Sequence, residues 1–348
     1  MKKLTSLALE FSYSADLKEA ELKILDQTVL PFEERWISVE TLAQMVEIIQ
    51  SLRVRGAPLI GVSASLMLAK LAIEKNPLEV LQQAATALYE SRPTAVNLMI
   101  CIDRMRKTLK APLSIEIITQ QAVQIFNEDV QLCEQIATHG ASLIQDGDQI
   151  LTHCNTGGLA TAGVGTALGI IQKAHAQGKK IHIYVDETRP LLQGGRLTTW
   201  ELQKLKIPFT LISDNMAAHL MSLKKITKAF VGSDRIAING DFANKIGTYS
   251  VAVNCHYHKI PFYVAAPYTT VDSDCLTGAE IPIEQRKPSE VLGVEGYFGS
   301  VKWALPETQV YNPSFDVTPA NLVSAWVLDR GIFYHQDVAA GVFKKNNN

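Results

Sequence analysis

The sequence predicts an α/β protein: a helical N-terminal domain plus a Rossmann-like parallel-sheet C-terminal domain. Three observations predict this. The chain has 348 residues, more than one ordinary domain needs. Apolar residues recur at helical spacing through most of the first third. From about residue 148, short apolar runs alternate with helical stretches, the mark of a parallel sheet with crossovers. The expected division is a mainly helical domain of residues 1–125 with short opening strands, then a catalytic domain of residues 126–348.

Residues 22–30 read as strand and turn, closed by Pro31. Residues 39–52 have helical spacing. Pro58 stands near the start of a helix running to Ile73, where its missing N–H is harmless. Residues 77–89 and 95–109 repeat the pattern, and 115–143 is a long periodic segment leading into the second domain. Strands are expected over 149–152, 180–185, 209–212, 229–231 and 261–265, with helices over 160–177, 216–223 and 245–256. Residues 271–292 are polar and contain proline; they read as a long loop, a common place for function. The tail from 344 to 348 is expected to fray.

Composition excludes several classes. Apolar residues make up 47% and charged residues 20%, a globular balance that rules out a mostly disordered chain. Net charge is −2, so no basic excess exists to neutralise a nucleic-acid backbone. Five cysteines at wide spacings form no paired pattern, which suits a reducing, cytoplasmic compartment. Glu10 interrupts the first apolar stretch, and no signal peptide is read there. Residues 157–171 are too few to span a bilayer.

In open parallel sheets the ligand crevice lies beyond the carboxyl ends of the strands. The first strand ends in Thr152-His153-Cys154-Asn155-Thr156-Gly157-Gly158. A thiol there, just before a helix, would sit near the positive helix end and ionise more readily. The competing reading is a small buried residue in a tight turn; the Asn-Thr-Gly-Gly context favours function. The next strand ends in a polar cluster, Asp186-Glu187-Thr188-Arg189-Pro190, followed by Gln193-Gly194-Gly195-Arg196. A further strand ends in Gly232-Ser233-Asp234-Arg235. A carboxyl at 234 packed among apolar neighbours would have a raised pKa and could act as general acid or base. An ion pair with Arg235 or Arg189 is the bland alternative. Asn244 and Lys245 are expected at a helix start, where phosphate or hydroxyls are held.

Two basic clusters precede N-terminal helices: Arg53-Val54-Arg55-Gly56-Ala57-Pro58, and Ser91-Arg92-Pro93-Thr94-Ala95-Val96-Asn97. Arginine beside open helix N–H groups is a phosphate clamp or merely a capped surface turn. Gly163-Val164-Gly165-Thr166-Ala167-Leu168-Gly169 is one residue too long for a dinucleotide fingerprint and falls inside the expected helix. An NAD-dependent dehydrogenase is nonetheless the runner-up from another class, with Asp186 as the ribose partner. Cys255-His256-Tyr257-His258 lacks a second ligand pair at zinc spacing and reads as packing. His153 is expected to point away from Cys154, so no Cys–His dyad is assigned.

Together the motifs resemble one family, the methylthioribose-1-phosphate isomerases of methionine salvage. The likeness runs from about residue 22 to 332: RGAPLIG at 55–61, SRPTAVNL at 91–98, CNTGGLATAG at 154–163, DETRPLLQGGRLTTWEL at 186–202, GSDRIAINGDFANKIGTY at 232–249 and IPIEQR at 281–286. The resemblance implies an aldose–ketose isomerase with no metal or redox cofactor, usually a cytoplasmic homodimer, acting on a small sugar phosphate. It implies Cys154 and Asp234 as the catalytic pair, Asp234 being the proton donor. It implies Arg55, Gly56, Ala57, Arg92, Gln193, Asn244 and Lys245 as the substrate-binding set. Departures are Ser233, where the family usually has alanine, and TVDSDCLTGAE around 271–279, which bears on the 5-substituent. Related branches act on 5-deoxyribose 1-phosphate or ribose 1,5-bisphosphate. Others are non-catalytic regulatory subunits of a translation-initiation exchange factor, which lack the Cys-plus-Asp pair.

Overall fold

The computed structural model describes residues 1–92, 96–297 and 299–344. Residues 93–95 of the second basic cluster, and 345–348 of the tail expected to fray, lie outside the described residues. Two compact units emerge. One comprises Met1–Leu132 with Gly158–Val164, the other Cys133–Gly157 with Gly165–Asn348.

The first unit opens with an antiparallel meander of β1 (Lys2–Thr5), β2 (Leu9–Tyr13), β3 (Ala20–Leu25) and β4 (Trp36–Ser38). In β2, Leu9, Phe11 and Tyr13 are buried while Glu10 and Ser12 are not, the period-two pattern of a one-sided strand. Helices α1 (Leu42–Gln50), α2 (Ala57–Ile73), α3 (Leu78–Glu90), α4 (Val96–Arg106) and α5 (Ile115–Ala141) follow. Thr41 caps α1 by accepting from Gln44 N–H at 3.2 Å. Every residue of α2 from Leu59 to Ile73 is buried, so this is a central helix, enclosed on all sides. Its one buried cation, Lys70, is paired with Glu74 one turn on.

The second unit contains β5 (Gln149–Thr152), α6 (Ala167–Ala176), β6 (His182–Asp186), α7 (Thr199–Lys204), β7 (Phe209–Ile212), α8 (Ala217–Ser222) and β8 (Lys228–Val231). Then come β9 (Arg235–Ala237), β10 (Phe242–Lys245), α9 (Thr248–His258), β11 (Phe262–Ala265), β12 (Val271–Asp272), α10 (Ser289–Leu292), β13 (Gly293–Gly296) and β14 (Gly299–Lys302). It closes with β15 (Phe315–Thr318), β16 (Ala325–Leu328), β17 (Gly331–Phe333) and α11 (His335–Ala339).

The main sheet has the order β17-β16-β11-β8-β5-β6-β7, parallel throughout except for β17 at its edge. Both faces are covered. Leu151, Val231, Val264 and Trp326 point into one core cluster; their strand neighbours Ile150, Phe230, Tyr263 and Val327 point into the other. Strands buried on both sides read as unbroken apolar runs, which is why β5, β8 and β11 were legible; β6 and β7, toward one sheet edge, are partly exposed. The chain winds outward from β5 through β6 and β7, then reverses through β8, β11 and β16. The reversal between β5 and β8 is the topological switch point, where such sheets open a crevice.

Three expectations need correction. The helix over 160–177 is confined to Ala167–Ala176, because residues 158–164 belong to the first unit. The helix over 245–256 begins at Thr248, after a turn at Gly247 with φ +105°; Asn244 and Lys245 lie in a strand instead. The stretch 271–292 is not pure loop, since it holds β12 and α10. A second small sheet, β12-β9-β10-β15, explains the middle error: β10 pairs with β15, a partner some seventy residues distant, and local spacing does not register it.

Candidate active site

Cys154 lies two residues beyond β5 and Asp234 three beyond β8, on neighbouring parallel strands that pair Thr152 with Phe230. Both therefore stand on the carboxyl edge at the switch point. Thr152 Oγ1 also donates to Phe230 O at 2.9 Å, tying the two tips.

The tips form a chain of hydrogen bonds. Asp214, after β7, accepts the N–H groups of Thr188 and Arg189 at 2.7 Å each. Thr188 Oγ1, after β6, accepts the Cys154 N–H at 2.8 Å. Thr198 Oγ1 donates to Cys154 O at 2.6 Å, and Asn155 Nδ2 donates to Glu201 Oε1 at 2.7 Å. Cys154 itself is held at φ +65°, a left-handed conformation that a cysteine adopts only when its surroundings dictate it. The residue is 6% exposed. The helix after β5 starts only at Ala167, so it does not directly follow the thiol as expected.

Asp234 is exposed on the turn between β8 and β9, not packed among apolar groups as expected. Its N–H donates to Ala243 O at 2.9 Å, and Ser233 Oγ donates to Arg235 O and Ala243 O at 3.1 and 3.3 Å. Arg235 pairs with Asp272 at 3.2 Å. This carboxyl therefore faces solvent.

Asn244 is buried and its Nδ2 donates to Thr248 Oγ1 at 2.9 Å. Lys245 Nζ donates to Ser314 O at 2.9 Å and lies 4.5 Å from the centre of the Phe315 ring. Gln193 is buried at the start of a short π-helical turn, Gly194–Thr198. Its Oε1 has no hydrogen-bond partner among the described residues, an unmet need that a ligand donor would fill.

Arg55, Gly56 and Ala57 form the entrance to α2 in the first unit. Gly56 is the N-cap at φ +84°, and a Cβ there would lie 2.4 Å from Ala160 O, so the position admits only glycine. Leu59 N–H donates to Ala160 O at 3.2 Å. Arg53, from the same cluster, is used structurally, pairing with Asp26 at 2.6 Å and Glu47 at 3.2 Å. Arg92 is half-buried just after the cap of α3.

Two groups escaped the sequence reading. His153 Nδ1 lies 2.9 Å from Asp186 Oδ2, and its Nε2 lies 2.8 Å from Ile246 O. Burial pushes the Asp186 carboxyl up to about 6, against the pull of His153. Burial opposes the His153 cation, but the bond and charge of Asp186 outweigh it and raise the ring pKa. His153, Asp186 and Asp214 offer ligand atoms within 4.8 Å of one another. Both ring nitrogens already face oxygen and both Asp214 oxygens accept N–H groups, so the trio reads as a hydrogen-bond network. The second group is Asp129 in the first unit, which accepts the Ala162 N–H at 2.6 Å; burial lifts it to about 6. An acidic residue opposite a strand-tip histidine, as at 186, was the one available signal.

Residues 153–166 separate β5 from α6, so no tight glycine turn delivers a helix end to a pyrophosphate, as the dinucleotide reading requires. Cys255 is buried within α9 and packs in the core. Among the described residues no helix is long and apolar enough to cross a membrane.

Residues 53–335 match the Initiation factor 2 subunit family. A methylthioribose-1-phosphate isomerase from Yersinia pseudotuberculosis serotype IB (strain PB1/+) is 56% identical over 99% of both chains. Among solved structures, 5-methylthioribose 1-phosphate isomerase from Pyrococcus horikoshii OT3 superposes with TM-score 0.87 at 35% identity, covering 97% of each chain. The translation initiation factor eIF-2B, subunit delta, from A. fulgidus superposes with TM-score 0.83 at 37% identity, covering 95% of this chain and 97% of that one.

Proposed function

Because the chain belongs to the methylthioribose-1-phosphate isomerases of the Initiation factor 2 subunit family, we infer that it converts 5-methylthioribose 1-phosphate to 5-methylthioribulose 1-phosphate. The observation that carries this is the 56% identity over 99% of both chains with an isomerase of that name. It is an aldose–ketose isomerase acting in methionine salvage.

Phosphate on C1 blocks the free aldehyde that ordinary aldose isomerases use. The ring oxygen–C1 bond must therefore break while one hydrogen passes from C2 to C1. The proton of the C2 hydroxyl is lost, and the ring oxygen gains one, so the product is an isomer and nothing is oxidised overall. In this reading Asp234 protonates the ring oxygen and Cys154 assists the C2-to-C1 transfer. Their place on adjacent strand tips at the switch point supports the pairing. The binding roles of Arg55, Gly56, Ala57, Arg92, Gln193, Asn244 and Lys245 rest on the sequence resemblance, and the unmatched Gln193 Oε1 supports one of them.

The protein acts as a cytoplasmic homodimer in this proposal. Five free cysteines suit a reducing compartment. Tyr249, Val253 and Tyr257 form an exposed stripe at four-residue spacing on α9, a surface that a second copy would cover. Light scattering of Val253→Glu against the unmodified chain tests the dimer.

The test of activity is a panel without added cofactor: 5-methylthioribose, 5-deoxyribose and ribose 1-phosphates, and ribose 1,5-bisphosphate. Turnover fastest on the methylthio compound is expected. A faster 5-deoxy reaction would reassign the substrate, and no turnover on any would favour the regulatory-subunit reading suggested by the eIF-2B likeness.

A further inference from the structure

Outside the residues given roles above, His153 and Asp186 have the most demanding surroundings in the second unit. They are 1% and 0% exposed, so neither charge is shared with solvent. The Ile246 carbonyl can only accept, so His153 Nε2 must carry a proton. A further proton then lies between Nδ1 and Asp186 Oδ2. The other Asp186 oxygen is buried without a hydrogen-bond partner among the described residues, which leaves the imidazole as that carboxylate's main compensation.

The carbonyl at the far end of the ring belongs to the turn between β10 and α9. That turn is gripped from the other side by Asp316, whose Oδ2 accepts the Gly247 N–H at 2.8 Å and whose Oδ1 accepts the Tyr249 N–H at 3.1 Å. A Cβ at Gly247 would stand 2.8 Å from the His153 ring, so only glycine allows this approach. The turn directly follows Asn244 and Lys245, and His153 directly precedes Cys154. One imidazole thus links the residue beside the thiol to the strand end that carries two substrate-binding candidates.

We propose that His153, held as a doubly protonated ring by Asp186, is a positioning residue that fixes the Asn244–Lys245 strand end relative to Cys154. The inference rests on the isomerase reading of this site. The charged and titratable groups facing the pair are Asp214 after β7, Glu187 after β6, Asp316 on β15 and Cys255 on α9. The carboxylates among these neighbours favour the ring as a cation.

His153→Asn keeps a donor to Asp186 at the former Nδ1 and removes the tether to Ile246 O. The expected result is a KM raised at least about fivefold, beyond any fall in active fraction, because the binding strand end is displaced. A purely structural role would lower kcat through the active fraction and leave KM unchanged, and that result overturns the proposal. Nitrogen-15 shifts of labelled protein near pH 7.5 should show one histidine with both ring nitrogens protonated, absent in His153→Asn. An unprotonated ring nitrogen at His153 also overturns it. Should His153→Asn fail to fold, Asp186→Asn carries the kinetic test, with the same expected rise in KM. An inactive unmodified protein would instead sink the isomerase reading and leave the nitrogen-15 result standing.

Discussion

Thr188 Oγ1 accepts the backbone N–H of Cys154 at 2.8 Å and donates onward to Asp186 O at 3.1 Å. The tip of β6 thus holds the tip of β5, and Cys154 is kept at φ +65° from outside its own loop. Thr188 is fully buried, so removing its hydroxyl leaves the Cys154 N–H with no water to replace it. Thr188→Val, of similar volume, should cost about 1–3 kcal/mol of stability and lower kcat/KM by about tenfold or more through misplacement of the thiol. Denaturant unfolding and steady-state kinetics measure the two effects. Full activity in a destabilised variant would separate the bond from catalysis.

Cys154→Ser and Asp234→Asn should each reduce kcat by about a thousandfold or more while the sugar phosphate still binds with near-normal affinity. Each variant keeps size and hydrogen-bonding capacity but loses the reacting group. Isothermal titration with substrate measures binding, and product formation over long incubation measures turnover. Substantial turnover by either variant removes that residue from the proposed chemistry.

Residues with local signatures were readable, and residues defined by distant partners were not. The limits of β5 and β7 at 149–152 and 209–212 were legible from their apolar runs, although only β5 is largely buried and β7 is a half-exposed edge strand. Cys154 was legible because Asn-Thr-Gly-Gly follows a strand. Asn244 and Lys245 were given a helix start because, beyond the short pairing of β10 with β9, their own strand partners are Asp316 and Phe315 of β15, which no window around residue 244 contains. The thiol's supposed helix failed for a related reason: residues 158–164 leave the second unit before α6 forms. His153 was set aside on the assumption that alternation along β5 continued, whereas the strand ends at Thr152 and Cys154 turns left-handed.

Gly56 fixes the entrance of α2 in a way no other residue can. Its φ of +84° disfavours any side chain, and an added Cβ would meet the Ala160 backbone at 2.4–2.5 Å. Backbone cannot move aside as a flexible side chain would. Gly56→Ala should therefore destabilise the protein by about 2 kcal/mol or more, summing left-handed strain and the clash. Thermal unfolding tests this, and a variant within about 0.5 kcal/mol of the unmodified protein would show that the loop at 160 yields.

Asp129 gives the first unit a pH dependence of defined sign. Burial lifts its carboxyl to about 6, although the Ala162 and Gly163 N–H groups pull the other way. An unfolded aspartate titrates near about 3.9, so the folded chain binds the extra proton between those values. Stability must then fall as pH rises from about 4 to about 6, at up to about 1.4 kcal/mol per pH unit, and level off above. Asp129→Asn cannot titrate and should lack that slope. Asp186 and Asp316 are also raised by burial, but they remain in the variant and cancel in the comparison. The measurement is denaturant unfolding of both proteins at half-unit steps from pH 4 to 8. The stability advantage of the unmodified protein over the variant should shrink across the acid window and stay flat beyond it. A difference independent of pH would mean that Asp129 titrates alike in the folded and unfolded chains.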